Sequence, residues 1–512
     1  MIKRILTVGG YTLLSRVTGF FRDIMLAAVL GAGPEADAFF VALRLPNHFR
    51  AIFAEGAFNA AFVPAYARIR EQSGPERAAL FSSRIFALLL ASQIVLLALA
   101  LIFTPTVIDV LAPGFRAHPT RFSLAVDLTR ITFPYLLLMT LVTLYGGILN
   151  ALQRFAAAAA ASIFLNLAMM ATLAVAWAFP TPGHAAALGV LVSGVLQALL
   201  VGGDAWRVRA LPKLSWPELD GDVRKFFRAL GPATVGSMGV QLALFADTII
   251  ASFLPTGAIS ALYYADRINQ LPIGVIGIAA GTVILPEMSR RLASGDRAGA
   301  AQAQNRTIEF TLLLAIPCLA AFFVIPDLIM RALFMRGAFT AADAAAAGRT
   351  LTAYGFGLLP FVLIRSAVAT FFARGDTMTP VKAALIAAAV NIVFKILLMG
   401  PLAQVGLALA TSIGAWINLG LVVFFAWRAG HAQIDEHLRL SAIKLAAAGL
   451  AMAVVLWLGY APATRSFSTL AHGRDVVTLI VLASAGGAVY CAIVIALFGR
   501  AWLARFRAAA RT

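Results

Sequence analysis

Arg16, Arg22 and Asp23 lie inside the first apolar stretch of the chain, and Asp37, Arg44, Arg50 and Glu55 inside the second, with Pro46, Asn47 and His48 among them. A guanidinium keeps its charge at any physiological pH and presents a planar fork of donors that matches carboxylate or phosphate oxygens. On a helix, Arg16 shares a stripe with Asp23, and Asp37 shares one with Arg44, because residues two turns apart lie on the same side. The cations outnumber the nearby acids. Arg16, Arg22 and Arg50 are therefore read as contacts for an anionic substrate, and Asp23 and Glu55 as neutralising partners open to a role in gating or coupling. Gly19 and Pro46 are expected to interrupt their helices and to favour a lined cavity over a packed seam. Mutual neutralisation of the Arg and Asp residues within a helix bundle is the competing reading.

Further along, Tyr263-Tyr264-Ala265-Asp266-Arg267 adds a cation with aromatic neighbours. An internal repeat of the chain assigns this segment the place of Phe39-Phe40, so Arg267 is expected to face the earlier arginines across a cleft, where a diphosphate bearing a sugar would fit. A local Asp266 to Arg267 pair is the alternative, although adjacent helix positions point about 100° apart. Asp247 and Lys395 stand in two other apolar stretches, and Asn391 precedes Lys395 by one turn. An Asp247 to Lys395 ion pair would satisfy both charges, either as a gating or coupling element or as a static buried pair. Arg365 and Arg374 are expected to snorkel or to face a cavity rim.

Enzyme chemistry leaves no trace. There is no nucleophile elbow, Walker loop, His-Glu-x-x-His or Cys-x-x-Cys in the sequence. The histidines scatter without ligand spacing, and Cys318 and Cys491 sit far apart in apolar surroundings, so neither a metal site nor a disulfide framework is expected. The reading is of a carrier that is not an enzyme and needs no cofactor, with the membrane potential or a monovalent cation gradient as its energy source.

These residues must be positioned by membrane helices. The 512 residues are 61% hydrophobic and 12% charged, far from the balance of a soluble domain. Apolar blocks recur roughly every 35 residues, which predicts an all-α polytopic membrane protein with about fourteen transmembrane helices. Charge outside the apolar blocks sets the orientation. Lys and Arg collect at Lys3 and Arg4, at 68–77, 207–228, 290–297 and 428–444, and in the tail with Arg500, Arg505, Arg507 and Arg511. The alternate connections, such as Pro180-Thr181-Pro182-Gly183, Leu254-Pro255-Thr256-Gly257 and Gly400-Pro401-Leu402, are nearly chargeless. The positive-inside rule then places both termini in the cytoplasm, the chain crossing the membrane an even number of times. Arg116, Arg121, Arg331 and Arg336 break the trend on the outer side.

A repeat at a shift of about 220 residues organises the chain. Pro64 answers Pro286, Pro105 answers Pro326, Phe133-Pro134-Tyr135 answers Leu359-Pro360-Phe361, and Ala205-Trp206-Arg207 answers Ala426-Trp427-Arg428. The shift spans an even number of helices, so the repeat is parallel. It predicts two six-helix lobes, residues 1–215 and 216–430, and a third segment, 431–512, holding two additional helices and a basic tail.

The stretches Ser15-Arg16-Val17-Thr18-Gly19-Phe20-Phe21-Arg22-Asp23, Ala36-Asp37-Ala38-Phe39-Phe40, Leu45-Pro46-Asn47, Ile52-Phe53-Ala54-Glu55-Gly56-Ala57-Phe58 and Tyr263-Tyr264-Ala265-Asp266-Arg267 closely resemble the MurJ/MviN family, within the multidrug/oligosaccharidyl-lipid/polysaccharide exporter superfamily. Ala112-Pro113-Gly114-Phe115, Thr132-Phe133-Pro134-Tyr135 and Thr379-Pro380-Val381-Lys382 extend the resemblance along the chain. It implies two lobes around a cationic cavity, with the last two helices forming a groove for a lipid tail. The implied substrate and partner is lipid II, the undecaprenyl diphosphate-linked disaccharide-peptide, flipped by alternating access from the cytoplasmic to the periplasmic leaflet for peptidoglycan synthesis. Membrane lipids and cell-wall synthesis proteins are further implied partners. Ser15, Arg16, Arg22, Asp37, Arg50 and Arg267 match the family's functional positions. Some relatives carry a sodium site to which Asp247 and Asn391 correspond in part; here Lys395 occupies the turn where another oxygen ligand would sit, and its ammonium would stand in for the ion. Export of another lipid-linked oligosaccharide or of drugs is the rival transport function, and a polytopic transferase or a membrane scaffold are rivals of other classes.

Overall fold

The computed structural model describes residues 2–53, 56–431, 433–470 and 473–499, and all regular structure in them is helical. Glu55 and the basic tail with Arg500, Arg505, Arg507 and Arg511 lie outside the described residues. In chain order the helices are α1 (Ile2–Leu30), α2 (Pro34–Phe53), α3 (Gly56–Ile102), α4 (Thr104–Leu111), α5 (Pro119–Thr132), α6 (Tyr135–Ala151), α7 (Ala156–Ala174), α8 (Pro182–Arg207) and α9 (Gly221–Ser252). They continue with α10 (Ala258–Pro272), α11 (Ile278–Ala293), α12 (Arg297–Val324), α13 (Pro326–Phe334), α14 (Ala341–Gly355), α15 (Leu358–Phe372), α16 (Met378–Arg428), α17 (Glu436–Ser466) and α18 (Arg474–Phe498).

Among the described residues, 9 helical segments are long and apolar enough to cross a membrane on length and hydropathy alone. Two long helices are each two helices joined across a kink. α3 breaks at Gly74, where φ is 86° and Pro75 follows, and α16 breaks at Ala403, where φ is 47° just after Pro401. Proline withholds a helical N–H, and a left-handed φ cannot continue the helix. Splitting α3 and α16, joining α5 to α6, α10 to α11 and α14 to α15, and setting aside the short α4 and α13 leaves fifteen helical stretches, in keeping with the all-α polytopic fold of about fourteen passages that the hydropathy blocks predict. Between α10 and α11 the backbone makes a π-helical turn over Ile273–Gly277, directly after Pro272. Gly19 and Pro46, expected to interrupt their helices, do not: α1 and α2 run through them.

The chain forms two compact units, residues 1–260 with 336–339, and residues 261–335 with 340–512. In the first, α1 packs on α7, α7 and α6 on α8, α2 on α5, and α3 on α6 and α9. An aromatic core joins α3 to α9, with Phe62 stacked between Phe58 and Phe81 at 5.1 and 5.7 Å and Phe226 edge-on to it at 6.1 Å. The connection before α9 is held by charge: Arg84 pairs with Glu218 and Asp220, and Arg77 with Asp220 and Asp222 at 3.1 Å. Asp220 also caps α9 by accepting from Asp222 N and Val223 N.

In the second unit α12 packs on α11, α15 and α17, α14 and α15 pack on α16, and α17 pairs with α18. A polar cluster fastens α17 to α12. Arg306 pairs with Glu309 and with Asp435, the N-cap of α17, while Ser441 donates to the fully buried Glu309. At the other end of α17, Arg331 approaches Asp475 at 3.5 Å and donates to the Tyr460 hydroxyl at 3.0 Å.

Three of the four cations that run against the expected positive-inside trend have ion-pair partners. Arg116 pairs with Asp109, Arg121 with Asp37, and Arg331 with Asp475, so each brings its own counter-charge.

Candidate functional site

The first unit gathers several of the residues singled out by type. On α1, Arg22 and Asp23 are 7% and 1% exposed. Arg22 Nε and Nη2 donate to one oxygen of Asp23 at 3.0 and 2.7 Å, and Nη1 donates to Asn166 Oδ1 on α7 at 3.0 Å. Asp23 is thus engaged by its neighbour and not by Arg16, the partner that helix spacing suggests. Adjacent positions diverge by about 100°, but a guanidinium arm is long enough to fold back where burial removes water as a competitor.

Asn166 is the residue that sequence reasoning missed. Its amide nitrogen donates to Ser15 O and to Thr18 Oγ1, each at 2.9 Å, so one buried amide reads Arg22, Ser15 and Thr18 together. Gly19 lies directly against this amide: a Cβ there would sit 3.4 Å from Asn166 Nδ2, in ordinary van der Waals contact. An amide in the otherwise apolar Ser162-Ile163-Phe164-Leu165-Asn166 was the available signal. Arg16, on the same helix, is exposed and has no ion pair among the described residues.

Asp37 on α2 is fully buried. One oxygen accepts from Ser260 N at 2.9 Å and from Ser260 Oγ at 2.6 Å; the other accepts from Gly257 N at 2.7 Å and from Arg121 Nη2 at 2.9 Å. Its oxygens therefore face protein donors, and the Arg121 guanidinium lies over the Phe115 ring at 3.9 Å. The backbone is drawn close around this node. Gly31, Gly257 and Gly337 all have positive φ, and Cβ atoms on them would fall 2.6, 2.6 and 2.2 Å from the carbonyl oxygens of Ala338, Ala32 and Ala28. Arg44, also on α2, donates to Thr248 Oγ1 at 3.1 Å, and Arg50 is half-buried. Asp247 on α9 is half-buried in this unit.

In the second unit Arg267 is half-buried with its guanidinium 5.8 Å from the centre of the Tyr263 ring, one turn earlier on α10. Asp266 accepts from Gln270 Nε2 at 3.4 Å. Lys395 on α16 is 3% exposed, and Asn391 stands one turn before it, close enough to Gly414 that a Cβ there would lie 2.9 Å from the Asn391 Cβ. No group of three or more His, Cys, Asp or Glu residues suited to a metal ion occurs among the described residues.

Chemically, then, α1 offers one guanidinium locked in a buried polar knot and one open to ligand, α2 a carboxylate saturated by protein donors, and α10 an arginine on an aromatic face. Nothing in the set pairs a nucleophile with a base. Charged groups held at membrane depth on helices suit the passage of a charged head group.

The comparisons with known proteins agree with this arrangement. Residues 26–478 match the family model described as lipid II flippase MurJ. A probable lipid II flippase MurJ of Rhizobium tropici is 40% identical over 490 residues, covering 94% of this chain and 92% of that protein. One from Rhizobium meliloti (strain 1021) is 40% identical over 511 residues, with 98% and 94% covered. Among solved structures, a lipid II flippase MurJ in an inward closed conformation superposes with a TM-score of 0.78 at 24% identity, covering 96% of this chain and 98% of that one. An inward-facing multidrug resistance MATE family transporter of the MOP superfamily follows the same fold at a TM-score of 0.64 and 13% identity, with 83% and 97% covered. A family model spanning most of the residues, joined to relatives matched nearly end to end, establishes that this chain belongs to the MurJ family of lipid II flippases.

Proposed function

We propose that the chain flips lipid II from the cytoplasmic to the periplasmic leaflet of the bacterial inner membrane, with both termini in the cytoplasm. Two lobes, residues 1–215 and 216–430, alternate in access to the two sides, and the helices of 431–512 keep the polyprenyl tail in lipid. No covalent bond changes. Arg16, Arg22, Arg50 and Arg267 hold the diphosphate, whose oxygens accept charge-assisted hydrogen bonds from guanidinium forks. Ser15 and Asp37 belong to the same site through position: Ser15 anchors Asn166 behind Arg22, and Asp37 braces the start of α2. Asp23, Glu55, Asp247, Asn391 and Lys395 serve gating or coupling, driven by the membrane potential or a monovalent cation.

The observation that carries this reading is the contrast on α1 between Arg22, oriented by Asp23 and Asn166, and Arg16, exposed without a carboxylate partner. A fixed guanidinium beside an uncompensated one favours a dianionic ligand. Binding of that ligand neutralises the open charge, and only such differential stabilisation can shift the population between two states. The test is reconstitution in vesicles with fluorescent lipid II, following the fraction exposed to a membrane-impermeant quencher. Arg16→Ala and Arg267→Ala should lose flipping while inserting normally; full activity in both overturns the assignment.

A further inference from the structure

The internal repeat places two corners of the chain in the same backbone shape with different charge pairing. In the first unit, the turn after α6 closes with Gln153 N to Asn150 O and Arg154 N to Leu149 O, and the turn after α8 with Arg209 N to Trp206 O and Ala210 N to Ala205 O. In the second unit, the turn after α15 closes with Gly375 N to Phe372 O and Asp376 N to Phe371 O, and the turn after α16 with Gly430 N to Trp427 O and His431 N to Ala426 O. All are the helix-ending pattern in which two N–H groups reach back to the last carbonyls. Positive φ recurs at matching places: 61° at Gln153 and 78° at Gly375, 56° at Arg209 and 68° at Gly430.

Side chains then part company. In the first corner Arg154 donates to Asp204 at 2.7 Å, which closes the charge. Asp204 directly precedes Ala205-Trp206-Arg207, and the residue directly preceding the matching Ala426-Trp427-Arg428 is Phe425. The second corner has thus exchanged its acid for a phenyl ring, and it opens a cavity of about 270 Å³ bounded by Arg374, Arg428, His431, Phe371, Phe425 and Asp376.

The cations there stay uncompensated. Arg374 donates to Thr370 O at 2.6 Å, and no carboxylate lies within 4.0 Å of Arg297, Arg374 or Arg428 among the described residues. Asp376 is spent on its own helix, accepting from Met378 N, Thr379 N and Thr379 Oγ1 at the start of α16. Burial and then the charge of Arg297 hold the Arg374 guanidinium below its usual range, and burial followed by Arg374 does the same to the His431 ring. Arg297, Arg374 and Arg428 are all solvent-exposed, so their like charges are hydrated, and none is paired with a carboxylate that an arriving anion would have to displace. The surroundings say where the anion comes from. Trp427 is 69% exposed at the end of α16 beside exposed Phe424, the placement of aromatic side chains at a membrane–water boundary.

We infer that this corner binds the phosphate of an anionic phospholipid, with Arg374 and Arg428 on the phosphate oxygens and Phe371 and Phe425 against the glycerol and the first acyl carbons. It follows from the orientation proposed above that the lipid belongs to the cytoplasmic leaflet, but binding itself does not depend on the flipping activity.

The purified full-length chain in detergent, titrated with phosphatidylglycerol, phosphatidylcholine or inorganic phosphate and read by native mass spectrometry, tests this. Phosphatidylglycerol should be retained in preference to phosphatidylcholine. Retention should weaken about tenfold in Arg374→Gln/Arg428→Gln, as expected for losing charges near a membrane surface. Phe425→Asp should weaken it as well, since it restores the acid that closes the first corner without removing a cation. Arg154→Gln, at the first corner, should change nothing. Equal retention of phosphatidylglycerol by wild type and the double variant overturns the site. Displacement of the lipid by millimolar inorganic phosphate overturns the lipid assignment in favour of a soluble anion. Because the readout is bound lipid, a failure here is distinct from a failure of lipid II flipping.

Discussion

Asp37 and Arg121 meet at 2.9 Å with side chains 0% and 2% exposed, joining the first turn of α2 to the first turn of α5. The two partners are unequal. Asp37 has four donors, whereas Arg121 has Asp37, the Phe115 ring and, among the described residues, no hydrogen-bond acceptor for Nε or Nη1.

Removing only the acid strands the cation. Asp37→Asn keeps an oxygen for Ser260 or Gly257 but leaves Arg121 buried without a counter-charge, and breaking one side of such a pair costs about 3–5 kcal/mol. Thermal unfolding in detergent should show a large drop for Asp37→Asn and a much smaller one for Asp37→Asn/Arg121→Met. Equal losses in the single and double variants would show that the charge is not what matters.

Arg22→Lys keeps the charge and loses the fork. A lysine ammonium cannot span Asp23 and Asn166 in the geometry that Nε, Nη2 and Nη1 achieve together. Flipping in vesicles should fall by about tenfold or more, the cost of one charge-assisted hydrogen bond. Asn166→Leu should reproduce most of that fall, and a fully active Asn166→Leu protein would remove Asn166 from the site.

Much of this was legible in the residues, and the part that was not has a physical cause. Intramembrane charges announce themselves because hydrocarbon penalises them, and Arg16, Arg22, Asp37 and Arg267 stand out for that reason. Their partners do not. Asn166 is 144 positions from Arg22 and Arg121 is 84 from Asp37, and helical periodicity reports only which residues of one helix share a face. Arg121 reads as an outer-side charge because its spacing says nothing of a buried acid elsewhere. Glu309 went unremarked for the same reason, since its partners Ser441 and Arg306 straddle two helices. The repeat was readable from prolines and from Ala-Trp-Arg, but the exchange of Asp204 for Phe425 acquired meaning only when both corners proved to share a backbone.

Glycine tolerance should follow the surroundings and not φ alone. Gly337→Ala would place Cβ 2.2 Å from the Ala28 carbonyl oxygen at a φ of 56°, whereas Gly74→Ala, at a φ of 86°, meets nothing within 4 Å. The second should cost about 1–2 kcal/mol from conformation alone, and the first clearly more because backbone must move. Denaturation midpoints of the two variants compare them directly; a Gly337→Ala protein as stable as Gly74→Ala would refute the close approach.

Acid should weaken the anchor of α9. Burial pushes the Asp220 carboxyl upward, but its hydrogen bond from Val223 N and the charges of Arg84 and Arg77 outweigh that and hold it below the usual value of 3.8. A depressed folded value means that the stabilisation is complete above 3.8 and is lost as pH falls through the folded value. Asp220→Asn preserves the cap and deletes the charge, so the variant should be less stable than wild type at neutral pH, and the gap should close as the solution is acidified. A gap that stays constant down to strongly acidic pH would assign Asp220 a capping role only.

The π-helical turn at Ile273–Gly277 has a bearing on how far the α10 aromatic face can reach. One additional residue in the turn winds the rod beyond its normal phase, so the stripe carrying Tyr263 and Arg267 is not continued by residues past Gly277. What looks like a single passage is therefore two half-rods out of phase, the far one seated against α12 and α15, so the facing of the arginine end is set independently of that seat.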